Sequence, residues 1–300
     1  MPRIHIVTDS TAHFTDPDLL KKYPITVVPL TIHLGAQTFR DGVDITTAQL
    51  FEQSNHGGPL PTAEAPTPEQ FAAVYEALWK SGDSIISIHV SGKLSTVPHN
   101  ARVGAEALAG RCKIIVIDSL SASVGLGVLV ETAAHAVARG DNLDDVVRLV
   151  RGQVGRLYTV FFIETMEYLA QAGRISKAQA ILGTMLGIKP ILTLEEGEIV
   201  PMEIVRARPQ AIEKIVEFVM EFSDIEHAAI LQSTPRPTDD TRLLLEQLAL
   251  EFPGRHWPVI TYGPALATLL GLGAMGIIVH EAEVDPESAA LADEDDEWED

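Results

Sequence analysis

The sequence predicts an α/β protein of two domains. The first carries a mainly parallel sheet with helices on both faces; the second is an α/β domain with a mixed sheet. Three observations support this. Short β-branched runs alternate with helix-like stretches through the first half, as in parallel sheets buried on both faces. A hairpin with a glycine turn is legible only in the second half. The chain has 300 residues, 46% of them hydrophobic, enough to bury full cores in two ordinary domains. The expected divisions are residues 1–155, residues 156–284 and a disordered acidic tail over 285–300.

The elements follow in order. Ile4 to Val7 is a first strand ending in the polar turn Thr8-Asp9-Ser10-Thr11. Ile25 to Leu34 is a second apolar run, interrupted by Pro29. Ser84 to Val90 and Lys113 to Ile117 are the third and fourth strands. Helices are expected over Pro68 to Lys80, Val97 to Ala109, Gly125 to Arg139 and Leu143 to Leu157, with Thr67 capping the first. In the second half Thr159 to Ile163 is a strand, and Glu164 to Ala172 and Lys177 to Leu186 are helical. Ile191 to Leu194 and Ile199 to Val205 form the hairpin around Gly197. Helices over Pro209 to Phe222 and Thr238 to Phe252 alternate with strands at His227 to Gln232, Pro258 to Tyr262 and Gly276 to His280.

Composition excludes several roles. A net charge of −20 opposes nucleic-acid binding, which needs a basic face. Much of the excess lies in residues 293–300, a run expected to stay solvated. No stretch is long and apolar enough for a membrane span, and the N-terminus lacks a signal-peptide pattern, so a cytoplasmic protein is expected. The single cysteine, Cys112, reads as a small core residue of an apolar strand.

Polar groups gather where strands end, the usual place for ligands in open α/β sheets. These are Thr8 to Thr11, Ser91 to Thr96, Asp118 to Ser123, and the loop Leu60 to Pro68 with Thr62 and Thr67. Hydroxyls beside backbone N–H groups can hold an anion; they can equally cap helices and need no ligand. Gly173-Arg174-Ile175-Ser176 places an arginine between apolar blocks, where it wants an anionic or strongly accepting partner. It can also be a helix that stops at Gly173. No Walker sequence, G-x-S-x-G elbow or metal-ligand spacing is present. Gly271-Leu272-Gly273-Ala274-Met275-Gly276 spells G-x-G-x-x-G, but no βαβ unit follows it, and it reads as a close-packing turn. His89, in a strand before Ser91, reads as a core or edge residue rather than a base.

Taken together, Thr8-Asp9-Ser10-Thr11, Val28-Pro29-Leu30, Asp41-Gly42, Ser91 with Leu94-Ser95, Ile117-Asp118-Ser119, Leu169 to Ser176 and Ile188 to Leu192 resemble, in order, the motifs of the DegV family. The resemblance covers about residues 3–280. It implies two α/β domains with a lipid tunnel between them, a long-chain fatty acid as ligand, no cofactor, and a fatty acid kinase as partner. It places the fatty-acid carboxylate at Thr62, Ser91, Gly92, Ser95, Arg174 and Thr268. The chain departs from the pattern in three places. The Thr62 loop reads Thr62-Ala63-Glu64-Ala65-Pro66, with an acid in it. The serine pair reads Ser91-Gly92, and the turn continues as Ser95-Thr96-Val97. The family's histidine before the C-terminal glycines is Leu269 here. A fatty-acid carrier without chemistry of its own is therefore expected. Two other readings stand beside it: an enzyme acting on a small anionic metabolite in the same cleft, with Asp9 or Asp118 as base, and a regulatory protein using the acidic tail.

Overall fold

The computed structural model describes residues 3–54, 59–175 and 185–283. The acidic tail and most of the helix expected over Lys177 to Leu186 lie outside the described residues. Three sheets organise the described residues.

The first is parallel, in the order β2-β1-β6-β7, from β1 (Ile4–Asp9), β2 (Ile25–Val28), β6 (Ser84–His89) and β7 (Lys113–Asp118). Every β6 residue from Ile85 to His89 is buried, so both of its faces are covered. After the short helices α1 (Leu19–Lys22) and α2 (Thr47–Ser54), the covering elements are the packed pairs α3 (Pro68–Leu78) with α4 (Val97–Glu106), and α5 (Ser123–Arg139) with α6 (Leu143–Val154). Their ends follow local chemistry. Thr67 and Gln70 form a reciprocal cap before α3, with Pro68 in the first turn. Asn142 caps α6, and Gly140 closes α5 at φ +92°.

The second sheet is mixed, in the order β10-β9-β8-β13-β11-β12. It comprises β8 (Leu157–Phe162), β9 (Lys189–Glu195), β10 (Glu198–Val205), β11 (Ile225–Gln232), β12 (Val259–Thr261) and β13 (Met275–Glu281). Only β11 and β12 pair in parallel. Because side chains alternate along a strand, its two faces feed two cores. Phe161, Leu192, Leu231 and Ile278 join the large core with the parallel sheet and its helices. Val160, Phe162, Ile277 and Val279 join a second core under the helices Arg208–Met220 and Asp239–Glu251. α6 ends at Val154 and β8 begins at Leu157, and the large core crosses this junction.

The third sheet was not expected. β3 (Thr31–Leu34), β4 (Gln37–Arg40) and β5 (Thr62–Glu64) form an antiparallel sheet in the order β4-β3-β5. The apolar run read as one strand is therefore two strands in different sheets. They are separated at Pro29 and Leu30, where the Leu30 N–H donates to Ser10 Oγ and its carbonyl accepts from Asp41 N. The segment read as a loop around Thr62 contains a short edge strand. Cys112 precedes β7 rather than sitting in it, half-buried, with its thiol directed at the Asp83 carbonyl. Among the described residues no helix is long and apolar enough to cross a membrane.

Candidate functional site

A cavity of about 180 Å³ opens where four pieces of chain meet: β5, the turn after β6, the end of α7 (Glu167–Gln171) and the helix Pro264–Leu270. Its polar lining is Thr11, Thr62, Ser95, Gln171, Arg174 and Thr268; its apolar lining includes Leu30, Val90, Leu94, Leu266 and Leu269. Arg174 reaches it because α7 stops abruptly. Gly173 takes φ +72°, its N–H donates to the Ala170 carbonyl, and the N–H of Arg174 donates back to Leu169. This is the two-bond glycine stop of a helix, and it throws the next side chain out of the helical path. The guanidinium then donates to the Leu94 carbonyl at 2.6 Å. The helix stop and the arginine site, alternatives in the sequence, are the same structure.

Beside this cavity lies a second, almost wholly apolar chamber of about 30 Å³. Phe161, Leu194, Ile199, Leu231, Leu270 and Ile278 form much of its wall. Leu94 and Leu266 line both spaces and form the partition between them. Close packing is built into this end of the chain. At Gly271, with φ +75°, a Cβ would fall 2.6 Å from the Tyr168 ring, and at Gly276 one would fall 2.4 Å from Phe161 Cβ. The glycine-rich segment is thus a close-packed turn leading into β13.

Of the expected carboxylate-binding residues, Thr62, Ser95, Arg174 and Thr268 line the polar cavity together. Ser91 and Gly92 do not. The Ser91 hydroxyl is buried and donates to the Gly197 carbonyl at 2.7 Å, tying the turn after β6 to the β9–β10 hairpin. The Gly92 N–H donates to the Asp118 carboxylate, and a Cβ at Gly92 would lie 2.6 Å from Asp118 Oδ2. Both residues hold the turn that presents Ser95. Glu64 points away, its carboxylate 65% exposed and paired with His33 Nε2 at 2.7 Å. Leu269 lines the cavity where the family pattern has histidine. Two polar lining residues lay outside the expected carboxylate set. Thr11 was legible as the last member of the first-strand motif. Gln171 carried no signal of its own; its amide donates to the Leu60 carbonyl at 2.9 Å and anchors the loop that carries Thr62.

The hydroxyls of Ser10 and Thr11, at the end of β1, are bonded within the fold. Thr11 Oγ1 and N donate to Asp9 Oδ1, and Val90 N donates to Asp9 Oδ2. A buried chain continues from Asp9 through His89 Nδ1 at 3.0 Å and from His89 Nε2 to Ser87 at 2.7 Å, ending at Tyr75. Burial would raise the pKa of Asp9, but its bonds to His89, Thr11 and Val90 outweigh that and hold it below the ordinary value. Ser10 donates to Asp41, which also accepts from Ala265 N and so joins β1 to the helix Pro264–Leu270. Burial, against these two bonds, pushes the Asp41 pKa up to about 6. Asp118 accepts from the backbone of Gly92 and Leu120. Neither Asp9 nor Asp118 lines the polar cavity, which removes the support for either as a base there.

A parallel sheet and a mixed sheet sharing one core, with a polar mouth opening beside an apolar chamber, define an α/β protein with an amphipathic internal cavity. The family model described as "Uncharacterised protein, DegV family" matches residues 3–282. The chain belongs to the DegV family. It is 32% identical over 278 residues to a DegV domain-containing protein of Streptomyces coelicolor, covering 92% of this chain and 98% of that one. It is 28% identical over 278 residues to protein DegV of Bacillus subtilis, covering 91% and 98%. Among solved structures, a DegV family protein from Thermus thermophilus, titled for its fatty acid binding, superposes with a TM-score of 0.82 at 32% identity, covering 93% of this chain and all of that one. DegV of Bacillus subtilis, described as a fatty acid binding protein, superposes with a TM-score of 0.80 at 27% identity, covering 94% of this chain and all of that one.

Proposed function

We propose that this protein binds a long-chain fatty acid, with the carboxylate in the polar cavity and the hydrocarbon tail in the apolar chamber. The observation that carries the reading is the shared partition. One space holds an arginine and three hydroxyl side chains of the expected set, the next is apolar, and among the described residues Leu94 and Leu266 alone line both. The chemistry fits. A guanidinium and hydroxyls satisfy a carboxylate by charge-assisted bonds, and each buried methylene adds about 0.8 kcal/mol. The chamber's small volume means that a tail enters by shifting the side chains that line it. The fatty-acid-binding relatives from Thermus thermophilus and Bacillus subtilis support the same reading.

The protein acts in this reading as a carrier without catalysis of its own, and it presents the carboxylate to a fatty acid kinase. Leu269 supplies no titratable group at the mouth, and an ionised carboxylate, itself the nucleophile in phosphoryl transfer, needs no base there. Extraction of purified protein under denaturing conditions, followed by mass spectrometry, should release one long-chain acid per chain. Added fatty acid should raise the melting temperature of delipidated protein. Failure to recover lipid, together with no thermal shift, would overturn the assignment.

A further inference from the structure

A second cluster lies where the six-stranded sheet meets α5 and α6. His227 on β11 and His280 on β13 face each other directly across the antiparallel pair, with rings 5.7 Å apart and nearly parallel. Glu226 adjoins them, Oε2 3.4 Å from His280 Nδ1 and Oε1 3.8 Å from His227 Nε2. The three potential ligand atoms all lie within 4.8 Å of one another.

His280 is the informative member. It is 2% exposed, and its Nε2–H donates to Gln153 Oε1 on α6 at 2.7 Å. That bond leaves Nδ1 as the lone-pair nitrogen, and Nδ1 is buried with no hydrogen-bond partner. An unsatisfied buried acceptor is costly in a folded protein and calls for an explanation. A histidine whose other N–H is fixed by a carbonyl oxygen is the usual arrangement around a bound metal. A cavity of about 310 Å³ adjoins the cluster and is lined further by Glu131, His135 and Arg139.

We propose that Glu226, His227 and His280 form a binding site for a divalent transition metal of the zinc type. Two imidazoles and a carboxylate, with a fourth position open to the adjoining cavity, match the preference of that ion for tetrahedral nitrogen and oxygen donors. Metal–ligand bonds of about 2.0–2.2 Å need donors closer together than they stand here. Glu226 and His227 are each about half exposed and can rotate inward, while His280 stays fixed. Arg156 is the nearest opposing charge, 3.4 Å from Glu226 Oε2. Its Nε and one terminal nitrogen are committed to the Glu281 carbonyl, and its other terminal nitrogen faces Glu283 at 3.5 Å. The bound ion would join β11 and β13 and, through Gln153, α6, a role separate from the fatty-acid cavity.

The test uses the full chain, stripped with chelator and titrated with Zn²⁺ by calorimetry and with Co²⁺ by absorption. One ion per chain is expected, with the strong visible bands of four-coordinate cobalt and a rise in melting temperature. His227→Ala, at a half-exposed position, should abolish the bands and the stoichiometric binding while the protein stays folded. Gln153→Leu should weaken Zn²⁺ binding by about 10- to 100-fold, as loss of a supporting bond does. Arg174→Ala should leave it unchanged. No stoichiometric binding to the unmodified chain, or binding that His227→Ala leaves intact, overturns the proposal.

Discussion

Two groups of polar side chains stand close together in this molecule and behave in opposite ways. The cluster of Asp9, Ser87, His89 and Tyr75 is closed, with its acid, imidazole and hydroxyls satisfying one another out of reach of solvent, and Thr11 ties it to the cavity wall. The cluster of Thr62, Ser95, Arg174 and Thr268 is open, lining a cavity with bonding capacity to spare. From sequence both are hydroxyls and charges at strand ends. What separates them is whether the chain supplies all the partners. A polar group with every bond met internally specifies the fold; one with donors left over at a cavity is available to a ligand.

The contrast can be broken first from the closed side. Asp9→Ala strips the acceptor from Thr11, Val90 and His89 at once, and should cost more than about 3 kcal/mol in chemical denaturation, since each buried donor left unmet costs about 1–3 kcal/mol. A loss under about 1 kcal/mol would mean that the chain of bonds is incidental. Asp41, bonded to Ser10 and Ala265, has a pH signature of its own. Its pKa is about 6 folded and 3.8 unfolded, so the native state holds more protons between those values. Its contribution is complete below pH 3.8 and is lost as pH rises through 6. Asp41→Asn should remove this trend, on the order of 2–3 kcal/mol across the window, from a pH series of denaturation midpoints.

From the open side, Arg174→Ala should leave stability within about 0.5 kcal/mol, as exposed positions do. Fatty-acid affinity should fall roughly 30-fold by fluorescence displacement, the equivalent of about 2 kcal/mol for a charge-assisted bond. Equal affinity would remove Arg174 from the head-group role. The smallest effect is expected at Glu64→Gln. Its exposed pair with His33 is worth at most about 1 kcal/mol, and lipid affinity should not change because the carboxylate points away from the cavity.

The same contrast explains what the sequence disclosed. Strands such as β6 and β7, and helices with caps such as Thr67 and Thr238, were legible because periodicity and capping are local. The three-stranded sheet was hidden. β5 is three exposed residues between prolines, with no apolar alternation to mark it, and it is held by pairing with β3 alone. Arg174 was legible from its motif. The diversion of Ser91 was not, because its partner Gly197 comes from the other sheet's hairpin. His227 and His280 showed no ligand spacing because antiparallel pairing, not proximity along the chain, brings them together.

The bond from Arg174 to the Leu94 carbonyl bears on selectivity. With one of five N–H groups anchored, the planar fork is held at a fixed angle, and the remaining donors are aimed before any guest arrives. A methyl ester offers the same hydrocarbon but no net charge to that fork. Discrimination between free acid and ester should therefore reside at the entrance, while the greasy interior sorts its guests by length and shape.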